Sequence, residues 1–175
     1  MDLEARVAEL ERRMAELAGA CGHDESAGQP SRPAGPEGDF WALEGLKVQL
    51  AGLGVPDGGA LFTGDVRLPP GERYEWQYGA TTDGLLDGDW AAKADAFAAL
   101  GHPVRLRLVR EILGGLRTAA ELHELDGLGT TGQIYHHLRQ LTAAGWLHTT
   151  GRGRYEVPAV RVVPLLVMLT AAATP

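Results

Sequence analysis

The 175-residue sequence predicts a mainly helical α+β fold, and three patterns predict it. Apolar residues near the N-terminus repeat every three or four positions, and two Thr-led helix starts flank a glycine turn further on. Between these regions, aromatic and polar residues alternate beside a Pro-Pro-Gly turn, as expected of a strand. The chain therefore divides into residues 1–18, 19–39, 40–94 and 95–175.

Residues 1–18 predict a coiled-coil helix. Their apolar residues follow the 4-3-4-3 spacing of a heptad seam, with Glu and Arg on its flanks. The seam consists of Leu3, Val7, Leu10, Met14 and Leu17. It favours a dimerising coiled coil, and the alternative is a single amphipathic helix lying on the body of the protein. Residues 19–39 are rich in Gly, Pro and Ser, which predicts a flexible linker.

Residues 40–94 predict a small α+β segment of unknown role. A helix is expected over Trp41–Leu53, and two strands, Ala60–Leu68 and Arg73–Tyr78, flank the turn at residues 69–72. We therefore expect a helix followed by a β-hairpin in this segment.

Aromatic residues concentrate in the same segment, and they have two interpretations. Tyr74, Trp76 and Tyr78 alternate along the second strand and so share one face. With Trp41 they are candidates for the lining of an effector pocket. The alternative is that a small unit uses large side chains to build a core.

The C-terminal region predicts a helix-turn-helix. A helix around Asp95–Leu100 precedes another over Pro103–Leu113, where proline suits the first helical position. Two capping boxes then follow, residues 118–121 (Thr-Ala-Ala-Glu) and residues 130–133 (Thr-Thr-Gly-Gln). Asp-Gly-Leu-Gly at residues 126–129 predicts a tight turn between the two helices that these boxes open.

The helix that begins at Thr130 has a core face and a face suited to DNA. At 100° per residue, Ile134, Leu138 and Leu141 form one narrow apolar stripe. The opposite side and its flanks present small or polar groups that suit the major groove. They are Thr130, Thr131, Gly132, Gln133, Tyr135, His136 and Arg139. The alternative is an ordinary solvated helix face.

A wing and a terminal helix complete this domain. Two short β-prone runs, Trp146–Thr150 and Arg154–Val157, flank Gly-Arg-Gly, which predicts a hairpin that offers Arg152 and Arg154 to DNA. The apolar tail, Pro164–Ala173, predicts a buried helix at a dimer interface, with packing on its own subunit as the alternative.

These motifs resemble the ArsR-type winged helix-turn-helix repressors. The resemblance covers about residues 95–174 and rests on four segments in order: residues 99–106 (Ala-Leu-Gly-His-Pro-Val-Arg-Leu), residues 121–122 (Glu-Leu), residues 134–139 (Ile-Tyr-His-His-Leu-Arg) and residues 141–147 (Leu-Thr-Ala-Ala-Gly-Trp-Leu). It implies a homodimer that binds double-stranded operator DNA under the control of an effector.

The chain departs from the metal-sensing members of that family. Their Cys-x-Cys ligands follow Glu-Leu, where this sequence has His123 and Leu125, and a second ligand pair is missing from Val162–Ala173. We therefore expect no metal and no cofactor, and any effector would be a small molecule or a protein that acts through residues 40–94.

Charge and composition agree with a DNA-binding protein of the cytoplasm. Residues 95–175 carry a net charge of +2 and residues 1–94 a net charge of −9, which sum to the chain's −7. The single cysteine, the absence of a basic n-region and of a long apolar run predict a cytoplasmic protein that does not enter the membrane. No Walker-type loop or Gly-x-Ser-x-Gly elbow is present, so we expect no enzyme.

The sequence thus predicts a homodimeric, DNA-binding transcriptional regulator. Two alternatives remain open: a winged-helix adaptor that binds protein, and a small-molecule sensor without direct DNA binding.

Overall fold

Helices and two separate antiparallel hairpins alternate along the part of the chain that the computed structural model describes, residues 40–151 and 153–173. This mixture of helix and strand is the α+β composition that the sequence predicted. The coiled coil predicted over residues 1–18 and the linker predicted over residues 19–39 lie outside the described residues.

The first half of this region contains helix α1 (Trp41–Gly52), strand β1 (Gly59–Arg67), strand β2 (Arg73–Thr81) and the short helix α2 (Thr82–Leu86). After a 3₁₀ turn at Ala91–Lys93 come helices α3 (Ala94–Leu100), α4 (Pro103–Leu113), α5 (Ala119–His123) and α6 (Thr131–Ala143). Strands β3 (His148–Thr150) and β4 (Arg154–Glu156) and helix α7 (Ala159–Ala171) follow. We call β1–β2 the N-terminal hairpin and β3–β4 the C-terminal hairpin.

The N-terminal hairpin is the one that the alternating aromatics predicted. Its strands pair from Gly59↔Thr81 to Arg67↔Arg73, without a bulge. The backbone N–H of Leu68 donates to the carbonyl oxygen of Glu72 at 2.9 Å and closes the turn. Gly71 takes a φ of +102° there, a conformation that glycine adopts at little cost.

One face of this hairpin packs against helix α7. A Cβ atom built on Gly64 would lie 2.6 Å from Cγ1 of Val163, so this position has room only for glycine. Nearer the turn, Leu68 is buried in the main core, and the half-buried Val66 and Tyr74 pack against it. Because a two-stranded hairpin is at best marginally stable alone, this packing is what stabilises it.

The main core lies where helices α4, α5, α6 and α7 meet. The stripe predicted on α6 forms part of it, since Ile134, Leu138 and Leu141 are all fully buried. Trp146 follows α6, is 2% exposed, and donates its Nε1–H to the carbonyl oxygen of Ala96 at 2.8 Å. That hydrogen bond joins the end of α6 to helix α3.

Helix α7 differs from the sequence-based expectation. It begins at Ala159 rather than at Pro164, and it buries Val162, Val163 and Leu165 within its own chain. The N-terminal hairpin contacts the helix at Val163, one residue before the tail that the sequence predicted to lie at a dimer interface. Toward the end of the helix, Leu169 remains 44% exposed. None of the helices in the described ranges is long and apolar enough to cross a membrane.

Candidate nucleic-acid interface

Both predicted capping boxes are present and set the ends of helices α5 and α6. Thr118 accepts from the backbone N–H of Glu121, whose carboxylate accepts from the backbone N–H of Thr118 at 2.8 Å. Hydrogen bonds from the Thr118 hydroxyl and then from the backbone hold the pKa of the Glu121 carboxyl below its usual value. Thr130 and Gln133 form the same reciprocal pair at the start of α6. Each helix therefore begins at a residue that its own sequence determines.

The turn between these helices is held on both sides. Gly127 and Gly129 have φ angles of +79° and +88°, as the Asp-Gly-Leu-Gly run predicted. Leu128 between them is buried in the core, and Nη1 of Arg107 donates to the carbonyl oxygen of Asp126 at 2.6 Å. Contacts within the chain therefore fix the position of the start of α6, without a bound ligand.

The outward face of helix α6 presents the predicted set of residues to solvent. Gly132, His136 and Arg139 are exposed, and the ring of Tyr135 is 43% exposed beside them. From Gly132 to Arg139 is about 10 Å along a helix axis, which is comparable to the width of the major groove. Arg139 forms no ion pair with any of the described residues, whereas Arg107 and Arg110 both pair with Glu111. Its guanidinium is therefore available for a ligand.

Gln133 is only partly available, because its Oε1 atom accepts from the backbone N–H of Thr130 at 2.8 Å. The two donors of its side-chain amide are not used in that bond. Thr131 is exposed on the first turn of the helix.

Arg105 positions helix α6, a role that the sequence analysis missed. Its Nε and Nη2 atoms donate to the carbonyl oxygens of Ala99 and Ala98, at 2.5 Å and 2.8 Å. Its Nη1 atom donates to Oε1 of Gln140 on α6 at 2.6 Å. One guanidinium thus joins the end of α3, its own helix α4 and the last turn of α6. The sequence offered only an arginine after His-Pro-Val as a signal.

The imidazole of His137 lies close to two others, those of His102 and His136. The ring of His137 is 4.9 Å from that of His102, which caps α4, and 5.7 Å from that of His136. The Nδ1 atom of His137 is buried without a hydrogen-bond partner among the described residues. Burial first, and then the nearby charges of His102, Arg105 and His136, lower the pKa of His137, and a hydrogen bond with Gln140 opposes them.

This lowered pKa predicts that acid destabilises the fold through His137. The unfolded chain binds the proton with an ordinary histidine pKa of about 6.5, and the folded chain binds it less readily. Stability is therefore complete above pH of about 6.5 and falls as the pH drops from there through the folded-state pKa. We expect His137→Gln to flatten the decline of melting temperature between about pH 7.5 and pH 5.5.

The matched control for this measurement is His123→Gln, because His123 is exposed at the end of α5. That variant should keep the wild-type pH dependence. Equal slopes for wild type and His137→Gln would contradict the prediction.

The C-terminal hairpin lies beside the start of helix α5. Its strands pair from His148↔Glu156 to Thr150↔Arg154, and Arg154 also forms an isolated bridge with Thr118. The Arg154 side chain is exposed and makes no ion pair within the described ranges. Arg152, predicted to contact DNA, lies outside the described residues.

The candidate effector residues are placed apart. Tyr74, Trp76 and Tyr78 share one strand face as expected, but they line three different clefts. Tyr74 is half-buried on the core, whereas Trp76 and Tyr78 are 38% and 57% exposed. Trp41 is exposed on helix α1. The core interpretation thus applies to Tyr74, and the common pocket stays a prediction.

Searches against protein-family models, curated proteins and solved structures found no match to this chain. Within residues 40–151 and 153–173, no group of three or more His, Cys, Asp or Glu side chains could hold a metal ion. The interpretation of the site therefore depends on its geometry and on the sequence motifs.

Proposed function

We propose that this protein is a sequence-specific, DNA-binding transcriptional regulator that acts as a homodimer through a winged helix-turn-helix. Helices α5 and α6 would form the helix-turn-helix, with α6 as the recognition helix and the C-terminal hairpin as the wing. The observation that carries this proposal is the outward face of α6, which is small and polar and stands on a fully buried apolar stripe. We propose no enzymatic activity.

The geometry of α6 supports reading of base edges. Gly132 and Thr131 leave the first turn narrow enough for close approach to a groove, and Arg139 lies about two turns further along. An unpaired guanidinium can bond O6 and N7 of guanine together, which is the commonest specific contact in protein–DNA complexes. Gln133, Tyr135 and His136 would contact neighbouring bases or phosphates.

Exposed arginine on the C-terminal hairpin supports a contact to the DNA backbone. Arg154, and with it Arg152 of the predicted wing, would neutralise phosphates without reading sequence. Residues 40–94 carry eight acidic and four basic side chains, a net charge of −4. We infer that this segment faces away from the DNA, where its charge is tolerated.

An apolar groove between α4 and α7 supports the homodimer. Leu106 and Leu169 are 36% and 44% exposed along it, with Leu166 half-buried between them. A second copy related by a two-fold axis would cover the same groove on both subunits.

A second candidate function, protein binding, has support from residues 40–94. Leu53 and Tyr78 are 67% and 57% exposed and line one cleft there, and exposed apolar surface of this kind favours a partner. An effector, either a protein or a small molecule, would bind this segment and control DNA binding. Alternatively, the protein would be an adaptor that binds a partner protein through this segment and does not bind DNA.

DNA from upstream of the protein's own gene should contain its site, since regulators of this kind often control themselves. Footprinting should reveal a near-palindrome with half-sites about 34–36 Å apart or a multiple of that spacing. Sedimentation equilibrium at micromolar concentration should give a dimer. A monomer would contradict the proposal. So would binding to this DNA that is no tighter than binding to unrelated DNA, if a genome-wide fragment selection also finds no preferred sequence.

A further inference from the structure

Arg117 lies between two carboxylates from distant parts of the chain. Its Nη1 atom donates to Oε1 of Glu156 on strand β4 at 2.7 Å, and its Nη2 atom donates to Oε1 of Glu72 in the turn of the N-terminal hairpin. The Arg117 side chain is only 17% exposed. These hydrogen bonds, led by the one with Glu72, raise the pKa of Arg117 despite its burial. One partly buried cation thus joins the two hairpins.

The backbone at Arg117 also holds the C-terminal hairpin. Its carbonyl oxygen accepts from the N–H of Tyr155 on β4 at 2.7 Å, and the next residue, Thr118, bridges to Arg154. The N–H of Arg117 donates to the Glu121 carboxylate of the capping box at 2.9 Å. Arg117 therefore lies where strand β4 meets the start of helix α5.

The turn of the N-terminal hairpin is seated against the same region. Leu68 is buried in the main core, and the ring of Pro70 lies 3.3 Å from where a Cβ atom of Gly115 would be. Tyr74 packs against the core from the second strand. Glu72 is consequently held beside Arg117 by its neighbours and not by its ion pair alone.

Removal of Glu72 would leave Arg117 with one carboxylate partner. A partly buried guanidinium that loses a partner must find new hydrogen bonds or water, so it shifts toward what remains. What remains is Glu156, whose own position is part of strand β4. A change in the turn is therefore transmitted to the C-terminal hairpin.

We propose that Arg117 is a positioning residue through which the docked N-terminal hairpin sets the placement of the C-terminal hairpin, and with it the affinity for DNA. The effect on DNA affinity rests on the proposed function. This positioning role gives residues 40–94 a defined route of control: a ligand or partner that lifts the hairpin turn weakens DNA binding by shifting strand β4 through the Arg117–Glu156 pair.

The test compares Glu72→Ala and Glu72→Gln with Glu75→Ala in the full chain. Glu75 lies on the same hairpin and loses the same charge, but its pair with Arg73 is on the surface, with its side chain 66% exposed. Glu72→Gln keeps the size and polarity of the side chain, so it covers the case in which Glu72→Ala folds poorly. Binding is measured by anisotropy on a labelled operator fragment, and amide shifts by NMR.

Both Glu72 variants should lose DNA affinity by between about 2-fold and 30-fold. Amide signals of His148–Thr150 and Arg154–Glu156 should shift, while those in the middle of α6 stay unchanged. Glu75→Ala should leave the DNA affinity and the amide signals of the C-terminal hairpin unchanged. Wild-type affinity and unshifted C-terminal hairpin amides in the Glu72 variants, even with a lower melting temperature, would overturn the proposal. Failure of wild type to bind DNA would refute the proposed function instead, and the amide shifts would still decide the positioning role.

Discussion

Trp146→Ala should lower the free energy of unfolding by about 3–5 kcal/mol, the largest effect on stability that we expect from one substitution. The Trp146 side chain is 2% exposed, and its Nε1 atom lies 2.8 Å from the carbonyl oxygen of Ala96, to which it donates a hydrogen bond. The guanidinium of Arg161 lies 4.8 Å from the centre of its ring and adds a cation–π contact. The substitution leaves a cavity between α3, α6 and α7 and removes the indole donor to the Ala96 carbonyl.

Urea unfolding followed by circular dichroism measures this loss, and Trp90→Ala is its matched control. Trp90 also donates its indole N–H to a backbone carbonyl, that of Leu85 at 2.8 Å, but its side chain is 67% exposed. Trp90→Ala should therefore lower the free energy of unfolding far less than Trp146→Ala does. Trp146→Phe should fall between the two, because it keeps most of the apolar contact and loses the donor. Equal losses at positions 146 and 90 would contradict the assignment of Trp146 to the core.

Arg139→Ala should weaken specific DNA binding by about 1–3 kcal/mol, which corresponds to about 5-fold to 150-fold in affinity. The exposed guanidinium has no competing ion pair among the described residues, so its full bonding capacity is available to a base. If it bonds guanine through two donors, the loss should be confined to one position of the operator. A set of single-base operator variants, titrated with both proteins, measures that relaxation of specificity.

Two further variants separate base reading from charge. Lys47→Ala removes one positive charge from helix α1, where the Lys47 side chain is 60% exposed and paired with Glu44, and should leave affinity nearly unchanged. Arg139→Lys keeps the charge but lacks the planar fork, so it should recover the salt dependence of binding without the specificity. Unchanged affinity in Arg139→Ala would remove α6 from the DNA interface.

Elements with local causes could be predicted from the sequence. Helix α4 runs from Pro103 to Leu113 as expected, because proline favours its first position. The capping boxes that begin at Thr118 and Thr130 needed only residues within three positions of each other. The N-terminal hairpin likewise followed from its turn and its alternating strands.

The candidate site was predictable only in part, for a physical reason. Its outward face on α6 is a matter of helical periodicity, so Arg139 and His136 could be assigned from their spacing. Arg105 and Arg117 could not, because their partners are up to 45 positions away in the chain. An arginine's role depends on which carbonyls and carboxylates the fold brings to it, and no local pattern encodes that.

The sequence by itself determined where helices α4, α5 and α6 begin and where the glycine turn before α6 lies, since caps, proline and glycine act through the nearest few residues. Only the tertiary structure decided what covers each apolar face. Helix α7 is apolar on nearly every side, and sequence pattern could not distinguish a partner subunit from the chain's own N-terminal hairpin as its cover. The contact of Gly64 with Val163 places that hairpin on the helix. Apolar burial has no direction and no sequence range, so its partners are chosen by the shape of the whole fold.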